Sequence, residues 1–284
     1  MNLKLLIATA LLSVASPAAA DLILYEPFDY PVGNLAGNGG GVGFSGNWTI
    51  KSGAPQLTSP GLTYGRLQTS GNGSTSGATQ SYRNFSNVGL TGDGATYWFS
   101  VLFAAPGGGA ASTPTLPTFF ADNSLLDAQK SGFAFKFDIN SSTNATFDTR
   151  VNNSISAGVN VSNADWYADT HLVVGKIEFS GAAGEDRISI WLNPSLDAAP
   201  TDPPLSTHAG DWVDPGARNS FFYSRYNSPS RTIDEVRLGT TYADVVPVPE
   251  PTAALPLAAG LSAVAAALRR SRHARFGCDT ASGR

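Results

Sequence analysis

The chain of 284 residues contains one cysteine, Cys278, close to its C-terminal end. Disulfides, cysteine-ligated zinc and thiol catalysis are therefore excluded from everything before it. Histidine is nearly as scarce: only His171 and His208 precede the C-terminal region, and two histidines without thiolates make a weak zinc site. Glutamate stands only at positions 26, 178, 185, 235 and 250. None belongs to a Glu-x-Asp-x-x-Glu pattern, the spacing that sets a nucleophile and an acid on one strand face for glycoside hydrolysis. Asp234-Glu235 is the closest acidic pair, but neighbours on a strand point to opposite faces, so the pair reads as a strand residue beside one that caps a loop. No Gly-x-Ser-x-Gly elbow accompanies His171 with Asp169, or His208 with Asp211. The glycine run over 37–43 lacks the Lys-Ser/Thr of a phosphate loop and reads as a flexible loop. No catalytic residue is assigned.

Charge is thin and unevenly divided. Residues 21–247 hold 12 Lys+Arg against 20 Asp+Glu, a net of −8, whereas 252–284 hold five Arg and one Asp, a net of +4. A central region so acidic lacks the basic surface that nucleic acid requires.

The two ends explain the asymmetry. Lys4, an apolar run over 5–14 and Ala18-Ala19-Ala20 read as a secretory signal peptide over 1–20, cut before Asp21. Near the other end, Pro249-Glu250-Pro251 precedes 17 uncharged residues, 252–268, and then Arg269, Arg270, Arg272 and Arg275. A helix of that length is about 25 Å long, at the lower limit of a membrane span. The arginines place its C-terminal end in the cytoplasm and the acidic region on the opposite side, in agreement with the signal peptide. Residues 276–284 form a short cytoplasmic tail.

Between the ends, no long stretch carries apolar residues at helical spacing, and period-two segments recur. Strands are expected at 22–25, 48–51, 62–67, 79–85, 95–104, 132–139, 145–151, 171–180, 187–193, 221–226 and 232–238. Residues 181–186 read as the loop of a β-hairpin, and 105–118 and 194–216 as Pro/Gly-rich loops. So many short strands with Gly, Pro and Asn punctuation describe an all-β sandwich or jelly roll in one domain, 21–247. Trp98 and Trp191 are expected in its core. The seven Asn-x-Ser/Thr triplets, at Asn47, Asn72, Asn84, Asn140, Asn144, Asn152 and Asn160, reflect abundant Asn, Ser and Thr.

The order Pro-Glu-Pro, apolar helix and arginine cluster over 248–275 resembles the PEP-CTERM sorting signal of Gram-negative bacteria that make exopolysaccharide. That resemblance implies recognition of Pro249-Glu250-Pro251 by a membrane-embedded exosortase, an inner-membrane-anchored precursor, and a mature protein at the cell surface or in the extracellular matrix. The segments 24–30 (LYEPFDY), 190–194 (IWLNP) and 233–239 (IDEVRLG) resemble concanavalin A-like, laminin-G-like domains, which implies a concanavalin A-like jelly-roll sandwich.

Sandwiches of that type often bind calcium through loop carboxylates and carbonyls. Asp122, Asp138, Asn140 and Asp186 lie near predicted strand ends, but no loop has a calcium spacing and no metal ligand is assigned. Sugar binding needs exposed aromatic faces near amides and carboxylates. Trp48, Trp166, Tyr167, Trp212 and Tyr223 are the candidates; Trp166, Tyr167 and above all Trp212, inside the long Pro-rich loop, are the best of them for ligand contact, against the reading that favours Trp212 as the residue that pins this loop. The expectation is a non-catalytic exported protein associated with exopolysaccharide. An exported carbohydrate-active hydrolase and a purely structural surface component are the alternatives.

Overall fold

The computed structural model describes residues 22–76, 79–86, 89–105, 115–125, 131–163, 165–182, 184–225 and 231–248. The predicted signal peptide, Pro249-Glu250-Pro251, the apolar segment 252–268, Arg269, Arg270, Arg272 and Cys278 lie outside these residues. No described helix is long and apolar enough to cross a membrane.

The strands, in chain order, are β1 (Leu22–Glu26), β2 (Gly33–Asn34), β3 (Thr49–Ser52), β4 (Gln56–Thr58), β5 (Gly73–Ser76) and β6 (Thr79–Asn84). They continue as β7 (Thr96–Ala104), β8 (Thr115–Asp122), β9 (Phe133–Ile139), β10 (Asn144–Val151), β11 (Ser154–Ile155) and β12 (Val159–Ser162). The last five are β13 (Thr170–Glu178), β14 (Asp186–Leu192), β15 (Ser206–Gly210), β16 (Asn219–Arg225) and β17 (Arg231–Gly239). The first sheet runs β15-β14-β13-β7-β17-β5-β4-β2, with β1 also paired to β17. The second runs β11-β10-β9-β8-β16-β6-β3, with β12 paired to β10. Every pairing is antiparallel.

Alternation decides which side chains meet between the sheets. On β7, Tyr97, Phe99, Val101 and Phe103 face inward; on β9, Phe133, Phe135, Phe137 and Ile139 do so. Phe99 meets Phe135 with ring centroids 5.6 Å apart, and Phe103 meets Phe137 at 4.1 Å. These cross-sheet stacks make an aromatic core that serves in place of disulfides.

The opposite face of the first sheet is covered as well. Leu102, Leu172 and Val174 point away from the central core yet are fully buried. A short helix, α1 (Tyr242–Val245), packs against β17 and β7, started by a reciprocal bond pair between Thr241 and Asp244. Ser100 on β7 donates its hydroxyl to the Val245 carbonyl at 2.6 Å.

Several local expectations are corrected. Residues 62–67 form no strand, because their backbone is engaged from below: Leu62 N donates to Asp234 Oδ2 at 2.7 Å, and Leu67 N closes a turn on the Tyr64 carbonyl. The expected loop 105–118 ends in strand β8, and the expected loop 194–216 contains β15, which adds an edge to the first sheet. The glycine run 37–43 is pinned rather than free. Val42 exchanges both backbone bonds with Tyr25, at 2.9 and 3.1 Å, and a Cβ on Gly43 (φ 79°) would fall on the Ile23 carbonyl oxygen.

Candidate functional site

Trp166 and Trp212, weighed as ligand contacts, are inside the fold. Trp212 is 9% exposed, its indole N–H donates to the Phe120 carbonyl at 3.1 Å, and its ring stacks on Phe133. It pins the loop after β15 into the core instead of offering a face. Trp166, 1% exposed, packs on His171 and Phe147. Tyr167 is half-buried against the core. Trp48 and Tyr223 are also buried.

Trp48 completes a closed network around Glu26. This buried carboxylate accepts from Phe28 N–H and Tyr30 O–H at 2.9 Å, from Trp48 Nε1–H at 2.9 Å and from Arg83 Nη1 at 2.5 Å. Burial pushes the Glu26 pKa up, while Arg83 and the donors pull against it. The 24–30 segment is thus explained by structure: one acid satisfied by four donors, as a buried charge requires.

Asp234 and Glu235 lie on one side of β17, contrary to the expectation of opposite faces. Glu235 has φ 52°, and the β17–β7 register shifts between Asp234 and Arg237. This bulge puts both carboxylates beneath residues 61–71. Asp234 accepts Leu62 N–H; Glu235 accepts Ser70 N–H and, at 3.0 Å, the Tyr25 hydroxyl. Arg237 pairs with Glu235, donates to the Gln68 carbonyl at 2.6 Å and lies over the Tyr25 ring. Burial pushes Asp234 up to about 8 and also raises Glu235, with Arg237 opposing the latter. A pocket of about 320 Å³ opens beside Tyr25, Ser70 and Arg237, but of the charged groups on its wall Arg237 is engaged with the covering segment and Asp244 caps α1. Lys136, Asp148 and Arg150, on the second sheet's face away from the core, are likewise paired with each other, at 3.5 and 3.0 Å.

His171 is buried, because it shares the inward parity of Val173. His208 lies half-exposed on edge strand β15, with Nε2 2.8 Å from Ser154 Oγ. No carboxylate completes a triad with that pair among the described residues. Burial lowers the pKa of both histidines.

The residues weighed for calcium are not brought together. Asp186 accepts Ser180 N–H and Trp212 N–H, Asp122 accepts from Ser124, and Asn140 bonds Thr146. Among the described residues no three His, Cys, Asp or Glu side chains converge on one point.

A groove of about 630 Å³ opens between residues 194–205 and Val161. Trp191 and Asn193 form its β14 side, Pro194, Pro200 and Pro203 stiffen its wall, and Thr201 and Asp202 supply polar groups. Trp191 is half-buried on the sheet's outer face, stacked near Trp98 at 5.7 Å, and its Nε1–H donates to the Asp202 carbonyl at 2.9 Å. Trp98 in turn meets Tyr242 edge-on at 5.4 Å. The expectation that Trp98 and Trp191 sit in the core is therefore corrected. Parity carried the signal: Ile188 and Ile190 face inward, so Trp191 must face out.

No protein-family model matches the chain, and no curated protein matches it. Solved structures of similar fold include the carbohydrate binding module CBM66 from Bacillus subtilis, 17% identical, covering 68% of this chain and 94% of that one with a TM-score of 0.38. The Bacillus licheniformis β-glucanase is 10% identical, covering 76% of this chain and 97% of that one, with a TM-score of 0.40. A carbohydrate esterase from the Shiga toxin-encoding bacteriophage phi24B is 10% identical, covering 74% and 100%, with a TM-score of 0.43. At these identities and scores the likeness assigns neither ligand nor reaction to this chain.

Proposed function

We propose that this chain is an exported, non-catalytic surface or matrix protein of the PEP-CTERM type, whose concanavalin A-like sandwich holds a neutral polysaccharide in the groove beside Trp191. The groove itself carries the reading. It joins an aromatic side chain, which suits the apolar face of a sugar ring, to hydrogen-bonding groups on Thr201 and Asp202. No lysine or arginine lines it, so nothing there favours an anionic glycan. One carboxylate, Asp202, lines it, whereas hydrolysis of a glycosidic bond requires two at a set separation.

Export and sorting rest on the sequence ends: the signal peptide, the exosortase motif Pro249-Glu250-Pro251, a transient inner-membrane span over 252–268, and arginines 269, 270 and 272 on the cytoplasmic side. Mass spectrometry of the mature C-terminus in cells with and without an exosortase tests this part. Processing that depends on the enzyme supports it; an intact tail in both reduces the segment to a plain anchor.

The hydrolase alternative draws on one observation, the 2.8 Å contact between His208 Nε2 and Ser154 Oγ, a spacing suited to proton transfer from a nucleophile. Labelling of Ser154 by a fluorophosphonate, lost in His208→Ala, would favour it over the binding reading.

A further inference from the structure

We infer that His171 is a positioning residue for the groove, holding Asn193 in place only while its imidazole is neutral. The inference rests on the groove reading above for its link to ligand, but its geometry stands separately.

Asn193 follows β14 directly and has φ 49°, a left-handed conformation that asparagine tolerates better than most residues but that still needs support. Three contacts supply it. Its N–H donates to the Leu172 carbonyl at 2.7 Å, and its side-chain Oδ1 accepts Leu172 N–H at 2.9 Å. Its Nδ2 lies 3.1 Å from His171 Nδ1. The second contact settles the third: with Oδ1 committed to a backbone donor, the amide must turn N–H toward the imidazole. His171 Nδ1 must therefore accept, which makes His171 the neutral tautomer with its proton on Nε2.

The imidazole is enclosed among other rings. Phe103 from β7 stacks on it with ring centroids 5.3 Å apart, and the Trp166 ring lies 4.3 Å away. Nε2 is buried without a partner. Asp169 is the charged group that reaches the ring, and Asn163 engages its carboxylate at 3.2 Å. Burial outweighs Asp169 and lowers the His171 pKa. Protonation puts an Nδ1–H against the Asn193 N–H, donor facing donor at a buried position. Asn193 lines the groove next to Pro194 and two residues after Trp191, so acid displaces the groove's own floor.

The experiment is ¹⁵N NMR of the full chain from about pH 7.5 to pH 4.5, run beside affinity electrophoresis through gels containing neutral galactomannan or dextran. The expected result is a His171 ring protonated on Nε2, with Asn193 side-chain resonances shifting at the His171 titration. Retardation by the neutral polysaccharide should weaken roughly ten-fold over the same range. His171→Asn, which keeps an acceptor near the Nδ1 position and cannot titrate, should bind as the unmodified chain does at neutral pH and lose the acid sensitivity. His171→Phe should weaken binding at every pH. A proton on Nδ1, no coupled titration of Asn193, or an unchanged pH profile in His171→Asn overturns the inference. Coupled titration with no polysaccharide bound at any pH supports the positioning role and contradicts the proposed function instead.

Discussion

Asp234 and Glu235, adjacent in the chain, both turn toward residues 61–71, because the left-handed φ of Glu235 adds a bulge to β17. Two carboxylates that an unbroken strand would separate instead act as a pair of anchors, one on Leu62 N–H and the other on Ser70 N–H.

Removing one anchor should loosen the covering segment without collapsing the core. Asp234→Ala leaves the Leu62 amide without its acceptor and is expected to cost about 2–3 kcal/mol. Urea unfolding should report that loss, and limited proteolysis should cut first within 61–71. Unchanged stability and unchanged cleavage would contradict the anchoring role.

Asp234 also sets a pH dependence of opposite sign to ordinary acid denaturation. Its folded pKa of about 8 lies above the ordinary 3.8, so the folded state holds the extra proton. That contribution is complete below about pH 4 and is lost as pH rises through about 8. His171 acts the other way: its folded pKa is lowered, so its contribution is present above about pH 6.5 and lost as pH falls. Above about pH 6.5 the His171 contribution is complete, while the Asp234 contribution is still being lost up to about pH 8. The urea midpoint should fall over that interval, and Asp234→Asn should flatten the slope. A midpoint that rises there would contradict the burial of this carboxyl.

Gly43→Ala should be among the most damaging small changes in the domain. Its φ of 79° disfavours any side chain, and the new methyl meets the Ile23 backbone. A loss of about 3 kcal/mol or more is expected in chemical unfolding. Gly46→Ala, with open space around it, is the matched control and should be near neutral.

The strands were largely legible because a sandwich covered on its inner faces imposes strict alternation. The Phe133 to Ile139 pattern placed β9, and the 181–186 loop between β13 and β14 was plain from its glycines. What failed depended on tertiary context. Residues 62–67 look like a strand, yet the Leu62 amide is taken by the Asp234 carboxylate, 172 positions away, and the Leu67 amide closes a turn on the Tyr64 carbonyl. β15 is short and polar and exists because β14 offers it an edge. Tryptophan was the weakest point. Trp191, on a predicted strand, reads as a core residue and Trp212, in a Pro-rich loop, as the best ligand contact, whereas strand parity sends Trp191 out, and the bond to the Phe120 carbonyl draws Trp212 in. The bulge at Glu235 left no mark in the local sequence.

Titration of the full chain against a panel of neutral and uronate-rich polysaccharides, repeated with Trp191→Ala, probes the groove most directly. At least one neutral polysaccharide should bind, Trp191→Ala should weaken it roughly ten-fold or more while near-ultraviolet dichroism still shows a folded domain, and no reducing sugar should be released. Binding confined to the anionic polymers, or binding undiminished in folded Trp191→Ala, would contradict the assignment of the groove.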